Sequence, residues 1–310
     1  MKKFLIKTFL FFTIIAIIDV LSGKFFAYLV EHTKGGKTWR NNYICNGVKE
    51  DVLIFGSSRA LSHYNSVTIS DSLNMSCYNC GQEGCGIIVN EPRYQLILQR
   101  YKPKVLIYDI TPGFDLLVKE DNHKYLRWLK AYYDRTGIPE VFEYVDDTEK
   151  YKMLSQMYRY NSNCIQILFD FSHPSITVDL NGFIPIDTKF DATKIKKIPF
   201  VPVIPVVDSL KISYIKKMIE ESTATSIIFV MSPWWNCIDT IRYQSIRDIC
   251  KEREIPFIDF SNRLKYLHNN AYFTDGDHLN ARGADEFTKD LIKELRGKRI
   301  LNLNRNDRIH

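Results

Sequence analysis

Five short apolar runs, each closed by turn-forming or polar residues, constrain this 310-residue chain more than any other feature. They are Asp51-Val-Leu-Ile-Phe55, residues 72–79, Lys104-Val-Leu-Ile-Tyr-Asp109, Ser226-Ile-Ile-Phe-Val-Met231 and Ile255-Pro-Phe-Ile-Asp259. Runs that do not alternate with polar residues suit strands covered on both faces, as in a parallel sheet. Gly56-Ser-Ser58, Thr111-Pro-Gly113 and Ser232-Pro233 end three of them. Helical stretches follow at 86–100, at about 239–252, and from Asn280, a suitable N-cap, to about Leu295. The alternation predicts a doubly wound α/β fold with about five parallel strands. Such sheets place their ligand crevice at the carboxyl ends of the strands. Ser57, Ser58, Asn79, Gly81, Asp109 and Ser232 all fall there.

Residues 50–310 are expected to form this α/β domain. An insertion at about 115–207 separates the third and fourth strands. It opens with a charged, Tyr-rich helical stretch around 120–160 and closes on Pro199, Pro202 and Pro205, whose density excludes a central strand or helix. The reading is a cap over the crevice, with a plain surface excursion as the alternative.

The N-terminus differs in composition. Residues 1–30 are expected to be a membrane anchor and residues 31–49 a linker. Phe4 to Tyr28 would make a helix long enough to cross a bilayer, interrupted by Asp19 and Lys24. An uncleaved signal anchor is the preferred reading, ahead of a cleaved signal peptide and of a buried or interfacial helix in a cytosolic protein. Lys2 and Lys3 favour a cytoplasmic N-terminus, which would place the body of the chain outside the cytoplasm. Half of the net charge of +6 lies in this first segment. The body lacks the basic stripe of a nucleic-acid binder, so no nucleic-acid partner is expected. Cys77-x-x-Cys80 has no second CxxC to complete a zinc site, and Cys77 reads as a buried structural thiol.

Chemistry concentrates in Tyr272-Phe-Thr-Asp275-Gly-Asp277-His278-Leu-Asn280, ahead of the last helix. An aspartate three residues before a histidine can accept from one ring nitrogen and leave the other to take a proton from a nucleophile. Ser58, at the turn after the first strand, is the candidate nucleophile, with backbone N–H groups nearby to stabilise an oxyanion. Arg59 reads as the partner of a crevice acid such as Asp109. Trp234 and Trp235 are placed either to stack on a sugar or to pack under the insertion.

Gly56-Ser-Ser58-Arg59, Asn79-Cys-Gly81 and Asp275-Gly-Asp-His278-Leu-Asn280 together resemble the blocks of SGNH/GDSL hydrolases. The likeness is nearest to the membrane-anchored, DltD-like branch, and covers about residues 50–110 and 225–295. It implies a three-layer, flavodoxin-like fold. By this resemblance Ser58 is the nucleophile, His278 the general base and Asp275 its orienting carboxylate. The backbone N–H groups of Ser58 and Gly81 would form the oxyanion hole. The family's fourth block supplies an asparagine donor. Here that place reads Asp109-Ile-Thr111-Pro-Gly113, leaving Thr111 or a backbone N–H for the role. The resemblance further implies an extracytoplasmic esterase or O-acyltransferase acting on acyl esters, foremost O-acetyl, of envelope or exported polysaccharide. No metal or organic cofactor is called for. The implied partners are an acylated glycan, the bilayer through residues 4–28 and a membrane protein. The competing reading is a non-catalytic envelope protein that binds a glycan or a protein on the same fold.

Overall fold

The computed structural model describes residues 1–118, 125–174, 180–191, 193 and 205–297. The chain forms two compact units, Met1–Gly47 with Gln95–Ile97 and Asp121–Val178, and Val48–Tyr94 with Leu98–Glu120 and Asp179–His310. The expected insertion therefore divides. Its first part folds with the N-terminus and its second part with the sheet. Pro199 and Pro202 lie outside the described residues.

The first unit is helical. Helix α1 (Lys2–His32) has two unlike halves. The large side chains from Phe4 to Ile18 are exposed. Beyond them Gly23, Phe26 and Leu29 are buried, at the helical spacing that defines one face. Phe26 stacks on Tyr160, with ring centroids 5.9 Å apart. Asp19, the awkward charge in an apolar run, is fully engaged. Its carboxylate accepts from the Ser155 hydroxyl at 2.5 Å and from the backbone N–H groups of Gln156 and Met157 at 2.7 and 3.0 Å. The expected linker is instead largely helix α2 (Gly36–Asn46), with Thr38, Arg40, Asn41, Ile44 and Cys45 buried. Asp170 accepts from the N–H of Thr38 at 2.9 Å, satisfying a donor that the first turn of a helix cannot pair internally.

The second unit is built on a five-stranded, all-parallel sheet: β1 (Val52–Gly56), β2 (Cys77–Asn79), β3 (Val105–Asp109), β4 (Ser226–Met231) and β5 (Phe257–Asp259). Its order is β2-β1-β3-β4-β5, the flavodoxin-like arrangement. Val52 pairs with Cys77 on one side and Val105 on the other, so β1 lies inside the sheet. Both faces of β1 and β3 are buried, which is why these runs do not alternate. One face, carrying Val52, Ile54, Val105, Ile107, Ile228 and Val230, packs on Phe287, Leu291 and Leu295 of the last helix, Ala281–Gly297. Asn280 caps that helix through Oδ1, which accepts from Gly283 N–H at 2.9 Å.

Two helices follow β1: α3 (Ser58–His63) and α4 (Ser66–Leu73). The expected second strand at 72–79 is shortened by α4. Asn65 caps this helix, accepting from Thr68 N–H at 3.1 Å, and Asn74 ends it in the left-handed region at φ 52°, leaving only Cys77–Asn79 to pair. Cys77 is a buried thiol whose pKa burial pushes well up, in keeping with a structural role. Helix α5 (Ile87–Leu98) follows β2.

Candidate active site

Order reverses between β1 and β3, and the candidate site forms at that switch point. Gly56 ends β1 at φ 142°, where a Cβ would lie 2.7 Å from the carbonyl oxygen of Asp109. Only glycine lets the chain turn there. Ser57 caps α3, its hydroxyl accepting from Arg59 N–H at 3.3 Å. Ser58 is thus the first residue of the helix and half-buried. Its distant partner is fixed by a small closed loop. Phe273 and Leu279 form an antiparallel bridge, and Thr274 N–H donates to the carbonyl of His278 at 2.9 Å.

The structure brings Ser58, His278 and Asp275 together. The Ser58 hydroxyl lies 2.8 Å from His278 Nε2. His278 Nδ1 lies 3.1 and 3.0 Å from the two carboxylate oxygens of Asp275. A carboxylate only accepts, so Nδ1 carries the proton and Nε2 is free to accept from Ser58. Asp275 Oδ1 also accepts from the backbone N–H groups of Asp277 and His278, both at 2.8 Å. Burial pushes this carboxyl's pKa up. The hydrogen bond from His278 and the two backbone donors outweigh burial and bring it down to about 2. The group is therefore an anion at every ordinary pH.

The expected oxyanion donors fare differently. Gly81 is corrected. Its N–H donates to Asn79 Oδ1 at 2.9 Å, and a Cβ at this position would lie 2.4 Å from Leu61 N. Gly81 lets β2's loop approach α3 closely, and its donor is used internally. Three residues on, Gly84 adopts φ 69° in a half-exposed turn, and its N–H makes no hydrogen bond among the described residues. Thr111 donates its N–H to Asp115 Oδ2 at 2.6 Å, and its hydroxyl lies 2.8 Å from that of Ser57.

Beneath Ser58 lies a buried polar cluster. Arg59, 2% exposed, faces Asp109 at 3.9 Å and sits 3.9 Å from the ring centroid of Trp234. Its structural pairing with Asp109 is as expected. Asp109 Oδ1 accepts from Tyr64 O–H at 2.6 Å and from Ser232 N–H at 2.9 Å. His63 is fully buried between Ser232 and Leu279. Sequence reading passed over His63 and Tyr64, although both follow Ser58 within two turns. Trp235 stacks on Phe190, 5.2 Å between centroids, so this tryptophan packs against the second part of the insertion. That segment also binds the site's frame, with Ile184 N–H on the carbonyl of Leu61 and Asp191 N–H on that of Thr274.

The fold is a flavodoxin-like parallel sheet with Ser58, His278 and Asp275 aligned at its switch point. No family model and no curated protein matches the sequence. Solved structures to which the chain shows a weak likeness include a family two carbohydrate esterase from Clostridium thermocellum in complex with cellohexaose. It is 10% identical, with a TM-score of 0.37, over 80% of this chain and 64% of that one. Another is the acetyl xylan esterase Est2A from the rumen bacterium Butyrivibrio proteoclasticus, 9% identical, with a TM-score of 0.34, over 80% and 63%. The chain spans under two thirds of either neighbour.

Proposed function

We propose that this protein is a membrane-anchored, extracytoplasmic serine esterase or O-acyltransferase of the SGNH type, acting on acyl esters of a polysaccharide. The observation that carries the reading is the 2.8 Å approach of Ser58 Oγ to His278 Nε2, with Asp275 on the opposite ring nitrogen. That is the geometry of an activated nucleophile. His278 Nε2 takes the Ser58 proton as Oγ attacks the ester carbonyl. The tetrahedral oxyanion is held by the N–H of Ser58, with the Thr111 hydroxyl as the further donor. Collapse breaks the ester C–O bond, and His278 returns the proton to the departing sugar hydroxyl. His278 then deprotonates water or a second hydroxyl, which attacks the acyl-enzyme and frees Ser58. Asp275 holds the ring in the required tautomer and balances the imidazolium charge.

The anchor is α1. Lys2–Ile18 rises about 25 Å at 1.5 Å per residue, close to the roughly 30 Å of a hydrocarbon core. From Asp19 onward one face of α1 is packed on protein. On this reading the span is Lys2–Ile18, overlapping the first part of the expected residues 4–28, and the bilayer boundary lies near Asp19. The DltD-like branch, an acylated glycan substrate and a membrane protein partner belong to the same proposal.

The test is acetate release from an O-acetylated xylan oligosaccharide by the full-length chain in detergent. Release that falls at least 10³-fold in Ser58→Ala and in His278→Ala supports the proposal. Equal release by all three proteins overturns it.

A further inference from the structure

His278 is gripped on both sides by the helix that carries its nucleophile. The peptide before it presents the carbonyl of Asp277 to Arg59 Nη1, which donates at 2.7 Å. The peptide after it presents the N–H of Leu279 to His63 Nε2, which accepts at 3.0 Å. Arg59 and His63 both belong to α3, the six-residue helix that begins at Ser58. Some 220 residues of sequence separate Ser58 from His278. Their separation in space is nevertheless set by one short helix and two of its side chains.

The hydrogen-bond directions within this grip are fixed. A backbone N–H only donates, so His63 Nε2 is unprotonated and the proton of the neutral ring is on Nδ1. That Nδ1–H donates to Ser232 Oγ at 3.0 Å. Arg59 Nη2 donates to the same oxygen at 2.8 Å and to the carbonyls of Ser232 and Pro233 at 2.7 and 3.0 Å. Ser232 Oγ, with both lone pairs used, sends its own hydrogen to Asp109 Oδ2 at 3.2 Å. Every donor and acceptor around the His63 ring is thus assigned. Burial, with the positive charge of Arg59 and the neighbouring His278, pushes the His63 pKa well below the usual histidine value. The ring stays neutral, as the acceptor role at Nε2 requires.

We infer that His63 and Arg59 are positioning residues for His278, acting on its flanking peptides and cross-linked to each other at Ser232. Neither touches the reacting atoms. This rests on the serine acyl-transfer reading above and adds a residue pair that sets its geometry. A displacement near 1 Å at the base is worth about 10²-fold in rate. His63 lets the two ring nitrogens be tested apart. In His63→Gln the side-chain oxygen falls near the place of Nε2 and can still accept from Leu279 N–H. In His63→Asn the shorter amide reaches only the place of Nδ1, so it can donate to Ser232 but leaves Leu279 N–H without an acceptor.

The experiment combines two measurements on the full-length wild type, His63→Gln and His63→Asn. One is the rate of fluorophosphonate labelling of Ser58 against pH. The other is the ring 15N–1H spectrum of His278, whose Nδ1–H bonded to Asp275 gives a far-downfield proton. The inference predicts labelling slowed about 10²-fold in His63→Asn, within about fivefold of wild type in His63→Gln, with the downfield proton lost or shifted only in the asparagine variant. Equal loss in both variants, or none in either, overturns it. Should wild type not label at all, the acyl-transfer reading fails while the spectrum still decides the positioning role. Selective loss of the His278 proton in His63→Asn supports that role, and its retention there refutes it.

Discussion

Replacing Asp275 by asparagine should disable the site through the tautomer of His278 while sparing the fold. Asp275 Oδ1 accepts from two backbone N–H groups at 2.8 Å. An asparagine carbonyl must take that place, because an NH2 there would face two donors. The NH2 then falls where Oδ2 stood, 3.0 Å from His278 Nδ1. A donor facing the Nδ1 proton is repulsive. The ring relieves it by moving the proton to Nε2, which then donates to Ser58 and cannot accept. This change of tautomer costs about 10⁴ in kcat in a serine triad, or about 5.4 kcal/mol at 1.36 kcal/mol per tenfold. The assay is hydrolysis of 4-nitrophenyl acetate, with thermal unfolding as the control for folding. Activity in Asp275→Asn within tenfold of wild type, in a folded protein, would refute the assigned tautomer and the role of the aspartate.

Four more outcomes follow from the geometry. Because Asp275 is held at about 2, it should add no proton to the acid limb of kcat/KM in the ordinary pH range; a slope of two there would contradict this. The same depressed carboxyl adds stability that is complete above its ordinary value near 3.9 and is lost as pH falls through about 2, which acid unfolding of Asp275→Ala against wild type would read. Gly81→Ala places a Cβ 2.4 Å from Leu61 N, so α3 must shift; we expect a loss of about 1–3 kcal/mol by denaturant unfolding, with slower hydrolysis. Asp19→Leu strands the Ser155 hydroxyl and two backbone N–H groups. With these part-buried donors left without their acceptor, limited proteolysis should open near residues 153–158 while membrane extraction behaviour is unchanged.

The sheet was legible because its strands are covered on both faces. Val52–Gly56, Val105–Asp109 and Ser226–Met231 each read as an unbroken apolar run and each pairs as one. The pairing of Ser58 with Asp275 and His278 was legible as two motifs at places where the topology must converge. Other features depended on tertiary contacts that no local pattern reveals. Residues 66–73 became a helix because Asn65 supplies a cap and Asn74 a left-handed stop. The supposed linker became α2, with Asp170, far along the chain, satisfying its first turn. By its motif Gly81 resembles an oxyanion donor, but its N–H is taken by Asn79, two residues back. His63 is an unremarkable histidine in sequence. Only burial against Leu279 and Ser232 gives it a role.

The central claim is that Ser58 is a nucleophile activated by His278. Intact mass and peptide mapping after brief exposure of the full-length protein to a fluorophosphonate test it most directly. The account predicts one adduct, on the peptide containing Ser58, slowed at least 10³-fold in His278→Ala. No adduct on folded wild-type protein, or an adduct formed as fast without His278, would contradict it.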